Sequence, residues 1–369
     1  MKKRLAIWIF GGVGTGDFSQ GYPVLERLIQ ELATPFKIVV YSQSAPNPGY
    51  VNSSFIIRSP GVKIKYPPLR WLILVIIFLK DHSKKRFNGL LAFWGWPSGF
   101  IVTVLGKVLH LPNAVYVLGG DAAGISAINF GIFHRPFLRR IALWTYHQTH
   151  LLLAISYYQK DQLKSFGIGR AVCVIPWGAD DLLYKFLLKE LSNPVHFIHV
   201  GHLTPVKDQT TLLKAFALIN HDHPSELRMF GGDFLNGTMK QLCNELGIQN
   251  SVQFLNMVPY QEMPKHYQWA DLMMHTSLSE GQSMALTEAA ASGVLLTGTR
   301  VGLLYDLTDH CGITVDTGDY RTLAKKIIDI ISNRVVWREK IDRAKDWSER
   351  HTFHWTVAEI NKQLDQLIR

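Results

Sequence analysis

The chain contains little cysteine, with three residues, Cys173, Cys243 and Cys311, among 369. Their number is odd, and no two of them have the close spacing of a metal-binding or redox pair. This scarcity argues against a disulfide framework and against a cysteine metal site. It indicates a protein of the reducing cytoplasm, where thiols stay unpaired.

Long apolar runs are also missing. The run Leu5–Phe10 leads directly into glycines, so it is too short for a secretory leader and is typical of a buried strand. A second run, 71–79, lies between Arg70 and Lys80 and is far shorter than the roughly 20 residues that a membrane-spanning helix needs. We therefore expect no segment that crosses a bilayer.

The net charge of +10 is distributed unevenly. Residues 1–190 carry 22 lysines and arginines against 9 acidic residues, whereas residues 191–369 carry 17 against 20. This asymmetry favours an anionic partner for the N-terminal half. The segment 63–86 alternates basic clusters with an apolar run, which predicts a helix on an anionic membrane surface. A buried crossover helix fits that pattern equally well. No nucleic-acid-binding signature is present, so we expect no nucleic acid partner.

Strand patterns alternate with helix patterns in both halves, which predicts an α/β protein with two doubly wound domains and a cleft between them. The first strand ends in a loop with Gly11, Gly12 and Gly14. Asp17 excludes both a P-loop and a dinucleotide fingerprint, because each motif needs a different residue there. The glycines still let the backbone approach a ligand at a strand end, so this loop is a candidate contact for an acceptor or a phosphate.

Asp121 closes a glycine turn after the strand pattern 113–118. Open α/β sheets bind ligands at the carboxyl ends of their strands, which favours a role in the site. A turn aspartate that bonds to its own backbone explains the residue equally well.

The second half begins with a strand pattern that contains His196, His199 and His202. Residues three apart on a strand point to opposite faces, so these side chains do not converge on one metal ion. Lys207 lies in the following loop, before a helix pattern, where a cation could meet a phosphate. A solvated loop lysine is the ordinary alternative.

The stretch 269–293 combines an apolar strand, a polar turn and a helix-forming run that ends at Gly293. A helix start after a strand directs unpaired backbone N–H groups and a positive dipole end at an anion. Glu280 and Glu288 flank this helix start, where carboxylates could hold sugar hydroxyls beside a phosphate. Acidic residues are also common at ordinary helix starts. Further on, the sequence predicts a helix over 320–333 and then a polar tail that ends in the run 353–368.

The second half closely resembles the donor-binding domain of the retaining glycosyltransferases of family 4, also called glycosyl transferases group 1. The matching residues are HVGHLTPVKDQTTLLKAF, FGGD and VPYQEMPKHYQWADLMMHTSLSEGQSMALTEAAASGV, and the family's E-x7-E element falls on Glu280 and Glu288. The segment VIPWGAD resembles the family's interdomain segment. The likeness is strong over about 150–350 and weaker over 1–150.

The resemblance implies a GT-B fold with two Rossmann-like domains that face each other across a cleft. It implies an acceptor domain at 1–178, a donor domain at 179–350 and a helix at 351–369 that returns to the first domain. No metal or other cofactor is implied, because the nucleotide-sugar is a substrate.

The resemblance also assigns roles to residues. Lys207 would neutralise the departing diphosphate and Glu280 would contact the transferred sugar, while Glu288 would bind the ribose. The remaining donor contacts would come from His202, from the backbone amides of Gly281, Gln282, Ser283 and Met284, and from the backbone of Met257 and Val258 toward the base.

Two positions depart from the family pattern. His202 stands where many members have arginine, so stabilisation of the leaving group would depend more on Lys207. Gly119, Gly120 and Asp121 stand where many members have a histidine, and Asp121 is the candidate catalytic residue there.

The sequence therefore predicts a retaining glycosyltransferase of the cytoplasm, peripheral on the inner membrane face. It would transfer a sugar from a nucleotide-diphosphate sugar to a lipid-linked or cell-surface glycan in cell-envelope polysaccharide biosynthesis. A sugar-nucleotide epimerase of the same fold and a non-catalytic subunit that binds a membrane or a partner enzyme are the alternatives.

Overall fold

The computed structural model describes residues 2–16, 22–61 and 66–369, apart from the side chain at position 309. The chain divides into two compact units. The N-terminal unit contains 1–155, 160–175 and 357–369, and the C-terminal unit contains 156–159 and 176–356. The domain boundaries expected from the sequence, after 178 and after 350, stay predictions.

The N-terminal unit is built on a parallel sheet of seven described strands in the order β3-β2-β1-β4-β5-β6-β7. Its central strands are continuous apolar runs, as expected where helices cover both faces of a parallel sheet. The strands are β1 (Arg4–Ile9), β2 (Lys37–Ser42), β3 (Ile56–Arg58), β4 (Gly89–Phe93), β5 (Asn113–Val117), β6 (Leu151–Ala154) and β7 (Cys173–Val174).

Three helices of this half begin at a proline, Pro23, Pro67 and Pro136. Proline is favoured at the first helical position because its missing N–H would have no intrahelical partner there. The helices are α1 (Pro23–Leu32), α2 (Pro67–Lys84), α3 (Phe100–Leu109), α4 (Pro136–Gln148) and α5 (Tyr157–Ser165).

The C-terminal unit contains a second parallel sheet, with six described strands in the order β10-β9-β8-β11-β12-β13. The chain order reverses between β8 and β11, so this is the switch point at which such sheets bind ligands. The strands are β8 (Val195–Val200), β9 (Ser225–Phe230), β10 (Val252–Leu255), β11 (Leu272–His275), β12 (Leu295–Thr299) and β13 (Gly312–Val315).

Several helices of this half begin with side-chain caps: Asp208, Asp319 and Asn333 each accept a backbone N–H from the first helical turn. The helices are α6 (Gln209–Asp222), α7 (Thr238–Glu245), α8 (Met263–Trp269), α9 (Met284–Ala291), α10 (Leu303–Cys311), α11 (Tyr320–Ser332), α12 (Arg334–Arg350) and α13 (Phe353–Ile368). The last helix begins in the C-terminal unit, and its residues from 357 belong to the N-terminal unit.

Two apolar clusters cover the two faces of the second sheet. Phe197 and Leu272 belong to one cluster, and their chain neighbours Ile198 and Met273 belong to the other. This alternation follows from the two-residue period of a strand. The buried Asp271, directly before β11, accepts backbone N–H groups of Ser192 and His196, so it fixes the strand beside β8. Both strands at the switch point are therefore rigidly held.

The predicted fold class is confirmed: the protein is α/β, with two Rossmann-like parallel sheets. The sequence did not predict α10 and α12. Helix α12 is highly charged, but Trp337, Ile341 and Ala344 lie buried on one side of it at spacings of four and three.

Among the described helices, none has both the length and the apolar character required to span a membrane. Within the segment 63–86, Lys63 and Lys65 lie outside the described residues. Helix α2 buries Leu74 and Phe78. The opposite side of α2 leaves apolar side chains exposed, so the interpretation as a buried crossover helix describes one side of it, and the membrane interpretation stays a prediction.

Candidate active site

The switch point of the second sheet brings together two residues that the sequence singled out. Lys207 lies in the short turn Pro205–Lys207 after β8, and Glu280 lies in the loop after β11. The Lys207 Nζ is 2.5 Å from the Glu280 Oε1. The two side chains are only 20% and 13% exposed, so their charges interact with little screening by water.

Two further side chains contact the same carboxylate oxygen. The His275 Nε2 lies 3.1 Å from the Glu280 Oε1, and the Ser277 hydroxyl donates to that oxygen at 2.7 Å. Both His275 and Ser277 are fully buried. Lysine, histidine and serine therefore converge on one oxygen of Glu280.

This arrangement keeps Glu280 ionised. Burial alone would raise the pKa of the Glu280 carboxyl, but the Lys207 charge and the His275 contact outweigh it and lower the pKa below its ordinary value. Burial lowers the pKa of His275, so its imidazole is neutral near pH 7. The Nδ1 atom of His275 is buried and has no hydrogen-bond partner among the described residues. A neutral ring is therefore best satisfied when Nε2 carries the proton and donates it to Glu280.

Backbone donors lie next to this carboxylate. Helix α9 begins at Met284, and the preceding Ser283 makes no side-chain cap bond to it. The first N–H groups of the helix lack intrahelical partners and stand at its positive end. Ser283 has φ 74° and ψ 104°, a backbone conformation that costs a non-glycine residue on the order of 1–3 kcal/mol. The loop is therefore held in a strained form directly before the helix.

Neighbouring segments hold this loop in place. The Gln282 side chain accepts the backbone N–H of Trp177 at 2.8 Å and donates to the Trp177 carbonyl at 2.8 Å. The Ser156 hydroxyl donates to the Gly281 carbonyl. Gly302 has φ 55°, and a Cβ atom there would lie 2.8 Å from the Glu280 Cβ, so only glycine fits. The Gln282 side chain is thus committed to Trp177, which leaves its backbone amide for a ligand.

Glu288 lies on α9 and is buried among phenols. The Tyr267 hydroxyl donates to the Glu288 Oε2 at 2.9 Å, and the phenols of Tyr260 and Tyr184 also face the carboxyl. Burial raises the pKa of Glu288 to about 7, and the three phenols offset only part of that effect. Without a bound partner, ionisation of the Glu288 carboxyl is therefore unfavourable.

The other predicted donor contacts lie in the same unit. The His202 Nδ1 accepts the backbone N–H of Gly232 at 3.0 Å, so the other ring nitrogen remains to donate. Met257 is 42% exposed, and Val258 packs on the core next to Tyr260. The loop 256–259 therefore connects the predicted base contact to the phenols around Glu288.

The histidines of β8 do not meet. His196 stacks on Trp269, with ring centroids 4.1 Å apart, and lies at one end of the strand. His199 is buried, and its two ring nitrogens contact the Met274 carbonyl and the Gln209 side chain.

In the glycine loop of the N-terminal unit, close packing leaves no room for a side chain at two of the glycines. Gly14 has φ 67°, and a Cβ atom there would lie 2.4 Å from the Tyr50 ring. A Cβ atom on Gly12 would lie 2.5 Å from the Thr15 side chain. The Gly11 carbonyl accepts the Ser44 N–H. Asp17, which excluded the stock nucleotide motifs, lies outside the described residues. A ligand role for Gly11, Gly12 and Gly14 stays a prediction.

Asp121 is buried at the carboxyl end of β5. Its carboxylate accepts the backbone N–H of Gly95 at 2.7 Å and that of Gly119 at 2.8 Å, while Leu118 contributes a longer bond of 3.3 Å. Burial raises its pKa in spite of these bonds. The bonds to Leu118 and Gly119 are those of a turn aspartate that bonds to its own backbone, the second of the two interpretations from the sequence. The bond to Gly95 adds a contact with the loop after β4. A catalytic role for Asp121 stays a prediction.

The sequence missed the residues that surround the two acidic side chains. His275, Ser277 and Tyr267 were not singled out, although His275 ends an otherwise apolar strand and Ser277 follows two residues later. A polar side chain at the end of a buried strand was the available signal.

Residues 184–351 match the model of the family described as glycosyl transferases group 1. These residues form a glycosyl transferases group 1 domain. The matched region contains Lys207, Glu280 and Glu288 together with the contacts between them.

Several curated relatives of this domain are glycosyltransferases by name. The D-inositol 3-phosphate glycosyltransferase of Corynebacterium kroppenstedtii is 29% identical over 197 residues, which cover 49% of this chain and 43% of that protein. The chain thus spans less than half the length of this curated relative.

Two solved structures share the fold across nearly the whole chain. Sucrose-phosphate synthase from Thermosynechococcus elongatus superimposes with a TM-score of 0.80 at 16% identity, covering 99% of both chains. HepE of Anabaena in complex with UDP-glucose has a TM-score of 0.74 at 20% identity and covers 98% of this chain and 99% of that chain. At these identities the likeness establishes the GT-B fold.

Substitution of Asp121 tests whether its role is structural. Asp121→Asn removes a charged acceptor and places an amide group against a backbone N–H, so we expect a loss of about 2 kcal/mol in local stability. Hydrogen exchange should become faster at the Gly95 and Gly119 amides, while nucleotide affinity stays unchanged. The exposed Asp222 provides a control as Asp222→Asn. Unchanged exchange with lost turnover would instead show a catalytic role.

The pKa of Glu288 predicts a pH-dependent stability. The folded-state pKa of about 7 lies above the ordinary value of 4.5, so ionisation weakens the folded state as pH rises through this interval. Glu288→Gln removes that cost and should stabilise the ligand-free protein by roughly 2 kcal/mol more at pH 8 than at pH 5. Chemical denaturation at both pH values measures the difference. Glu245→Gln, an exposed substitution, serves as the control, and a gain independent of pH would contradict the raised pKa.

Proposed function

We propose that this protein is a retaining glycosyltransferase that moves a sugar from a nucleotide-diphosphate sugar to a lipid-linked or cell-surface glycan. One observation carries the proposal: Lys207 and Glu280 meet at the switch point of the C-terminal sheet, beside the amide-rich start of α9. A cation, an ionised carboxylate and free backbone donors together match a sugar joined to a diphosphate.

The diphosphate would receive more hydrogen bonds and positive charge from the site than any other part of the donor. As the bond between the sugar and the phosphate breaks, negative charge grows on the phosphate oxygens. The first amides of α9 are fixed donors for that charge, Lys207 supplies a cation, and His202 can add its free ring nitrogen. Donors fixed in advance stabilise a transition state without reorganisation, and each is worth about 10²–10³ in rate.

Two carboxylates would hold the hydroxyls of the donor. Glu280 is ionised and accepts hydrogen bonds from the transferred sugar. Glu288, on α9, accepts hydrogen bonds from the ribose hydroxyls. The backbone of Met257 and Val258 contacts the base. These two roles and the base contact follow from the family resemblance.

The reaction breaks the bond from the anomeric carbon to the phosphate oxygen and forms a bond to the acceptor oxygen on the same face. The acceptor's proton passes to the leaving phosphate, so no protein base is assigned. Retention follows from the family resemblance, and NMR of the product's anomeric linkage determines it. The structure of HepE with UDP-glucose supports a uridine nucleotide as the first donor to try.

A membrane-bound acceptor is supported by the surface of α2. Leu69, Leu72, Ile76 and Leu79 are 42–56% exposed and recur at spacings of three and four, so they share one side of the helix. Lys84, Lys85 and Arg86 follow at its end and are exposed. An apolar side with adjoining positive charge suits an anionic membrane surface. We place the protein at the inner face of the membrane, in the cytoplasm.

Turnover of a panel of nucleotide-sugars tests the enzyme proposal. The wild type should hydrolyse at least one donor slowly without an acceptor, and Lys207→Ala should lower kcat by about 10²–10³ with a smaller change in KM. Lys325→Ala, at an exposed position on α11, should leave both constants unchanged. An epimerase would convert the donor without hydrolysis, and a non-catalytic subunit would leave every donor intact; either result would contradict the proposal.

Flotation with lipid vesicles tests the membrane proposal. The protein should float with vesicles that contain phosphatidylglycerol and less with pure phosphatidylcholine, and 1 M salt should weaken binding because it shortens the screening length to about 3 Å. Leu72→Ser with Ile76→Ser, and glutamine at Lys84, Lys85 and Arg86, should each reduce flotation. Leu218→Ser removes a similarly exposed leucine from the other unit and should change nothing. Binding that ignores both salt and these substitutions would contradict the proposal.

A further inference from the structure

The contacts of Glu280 are divided unequally between its two oxygens. Lys207, His275 and Ser277 all contact Oε1, at 2.5, 3.1 and 2.7 Å. No hydrogen bond to Oε2 is found among residues 2–16, 22–61 and 66–369. One oxygen is thus fixed by three donors, and the other remains available at a site that is partly open to solvent.

The three donors differ in how firmly they are held. Lys207 lies at the end of a flexible four-carbon chain and is 20% exposed. His275 and Ser277 are fully buried, and the Ser277 hydroxyl also lies 3.1 Å from the His275 Nε2. The backbone at His275 is confined as well, because a Cβ atom on Gly298 of the neighbouring strand would lie 1.8 Å from the His275 carbonyl. Burial and their mutual contact therefore hold His275 and Ser277 more firmly than Lys207.

We propose that His275 and Ser277 are positioning residues that hold Glu280 by Oε1, so that Oε2 faces the sugar and Lys207 is free to move to the diphosphate. This inference rests on the proposed function. It adds a division of labour within the site: two buried neutral donors fix the carboxylate, and the mobile cation serves the leaving group.

The physical reason is competition for Lys207. A carboxylate paired only with Lys207 would either retain that cation or follow it when a diphosphate binds. Two additional donors satisfy the charge of Glu280 after the cation has left, since hydrogen bonds to an ionised acceptor contribute about 1.5–3 kcal/mol each. Without them, Lys207 would remain on Glu280 and less of it would reach the phosphate.

Two substitutions of His275 separate the roles of its ring nitrogens. In His275→Gln the side-chain amide lies near the former Nε2 and still donates to Glu280, whereas in His275→Asn it lies near the former Nδ1 and does not. We expect His275→Gln to retain kcat within about threefold, and His275→Asn and Ser277→Ala to lower it by about 10- to 100-fold, the rate equivalent of one charge-assisted hydrogen bond. The Kd for the nucleoside diphosphate alone, measured by calorimetry, should rise in His275→Asn and Ser277→Ala, because Lys207 then stays on Glu280, and should change little in His275→Gln.

His199 supplies a matched control for burial. It is also fully buried, on the adjacent strand, with its ring centroid 6.4 Å from that of His275, and it contacts Met274 and Gln209 instead of Glu280. His199→Asn should lower thermal stability to a similar degree while kcat changes far less. Equal kcat for the two His275 variants, or an equal loss in His199→Asn, would overturn the inference and reduce His275 to a packing residue.

A spectroscopic measurement tests the inference without any turnover. Nitrogen-15 NMR of histidine-labelled protein, with the His275 signals assigned by their loss in His275→Gln, should show a neutral ring with the proton on Nε2 between pH 6 and 8. A proton on Nδ1 would overturn the inference, because Nε2 could then not donate to Glu280. Absence of turnover in the wild type would count against the proposed function alone, so the two failures are distinguishable.

Discussion

The candidate site depends on one electrostatic constraint: an ionised carboxylate that is nearly removed from water must have compensating donors. Glu280 meets this requirement through Lys207, His275 and Ser277 on a single oxygen. A partly buried charge without such partners would take up a proton instead. The positions of the β8 and β11 ends, the tight turn before α6 and the glycine at 302 all follow from the need to bring these groups together.

The two acidic residues of the E-x7-E pattern have opposite environments. Glu280 is surrounded by a cation and polar donors, which lower its pKa, whereas burial raises the pKa of Glu288 to about 7 although three phenols offset part of that effect. The two residues occupy equivalent places in the sequence pattern, but their carboxyl groups differ in how readily they ionise. One carboxylate is charged before any ligand arrives, and the other becomes charged most readily when a ligand supplies hydroxyl donors.

Much of the fold and part of the site could be predicted from the sequence. The alternation of strands and helices, and the polar loop between β11 and α9, leave local signatures, and the family resemblance singled out Lys207, Glu280 and Glu288 within them. The partners of these residues could not, because the contacts depend on how distant segments meet. Gly95 reaches Asp121 across 26 positions, and Trp177 reaches Gln282 across 105. Helix α12 was likewise not predicted, because its many charged residues obscured the spacing of its three buried ones.

Ser283 gives this site a property that its list of contacts does not convey. A serine at φ 74° occupies backbone geometry that an unconstrained chain would leave, and the anchors at Trp177, Ser156 and Gly302 keep it there. The conformation of the loop is thus preorganised, because it is set before any ligand binds. The free-energy cost of that shape is incurred once, when the protein folds, and is not incurred again in each round of binding and release.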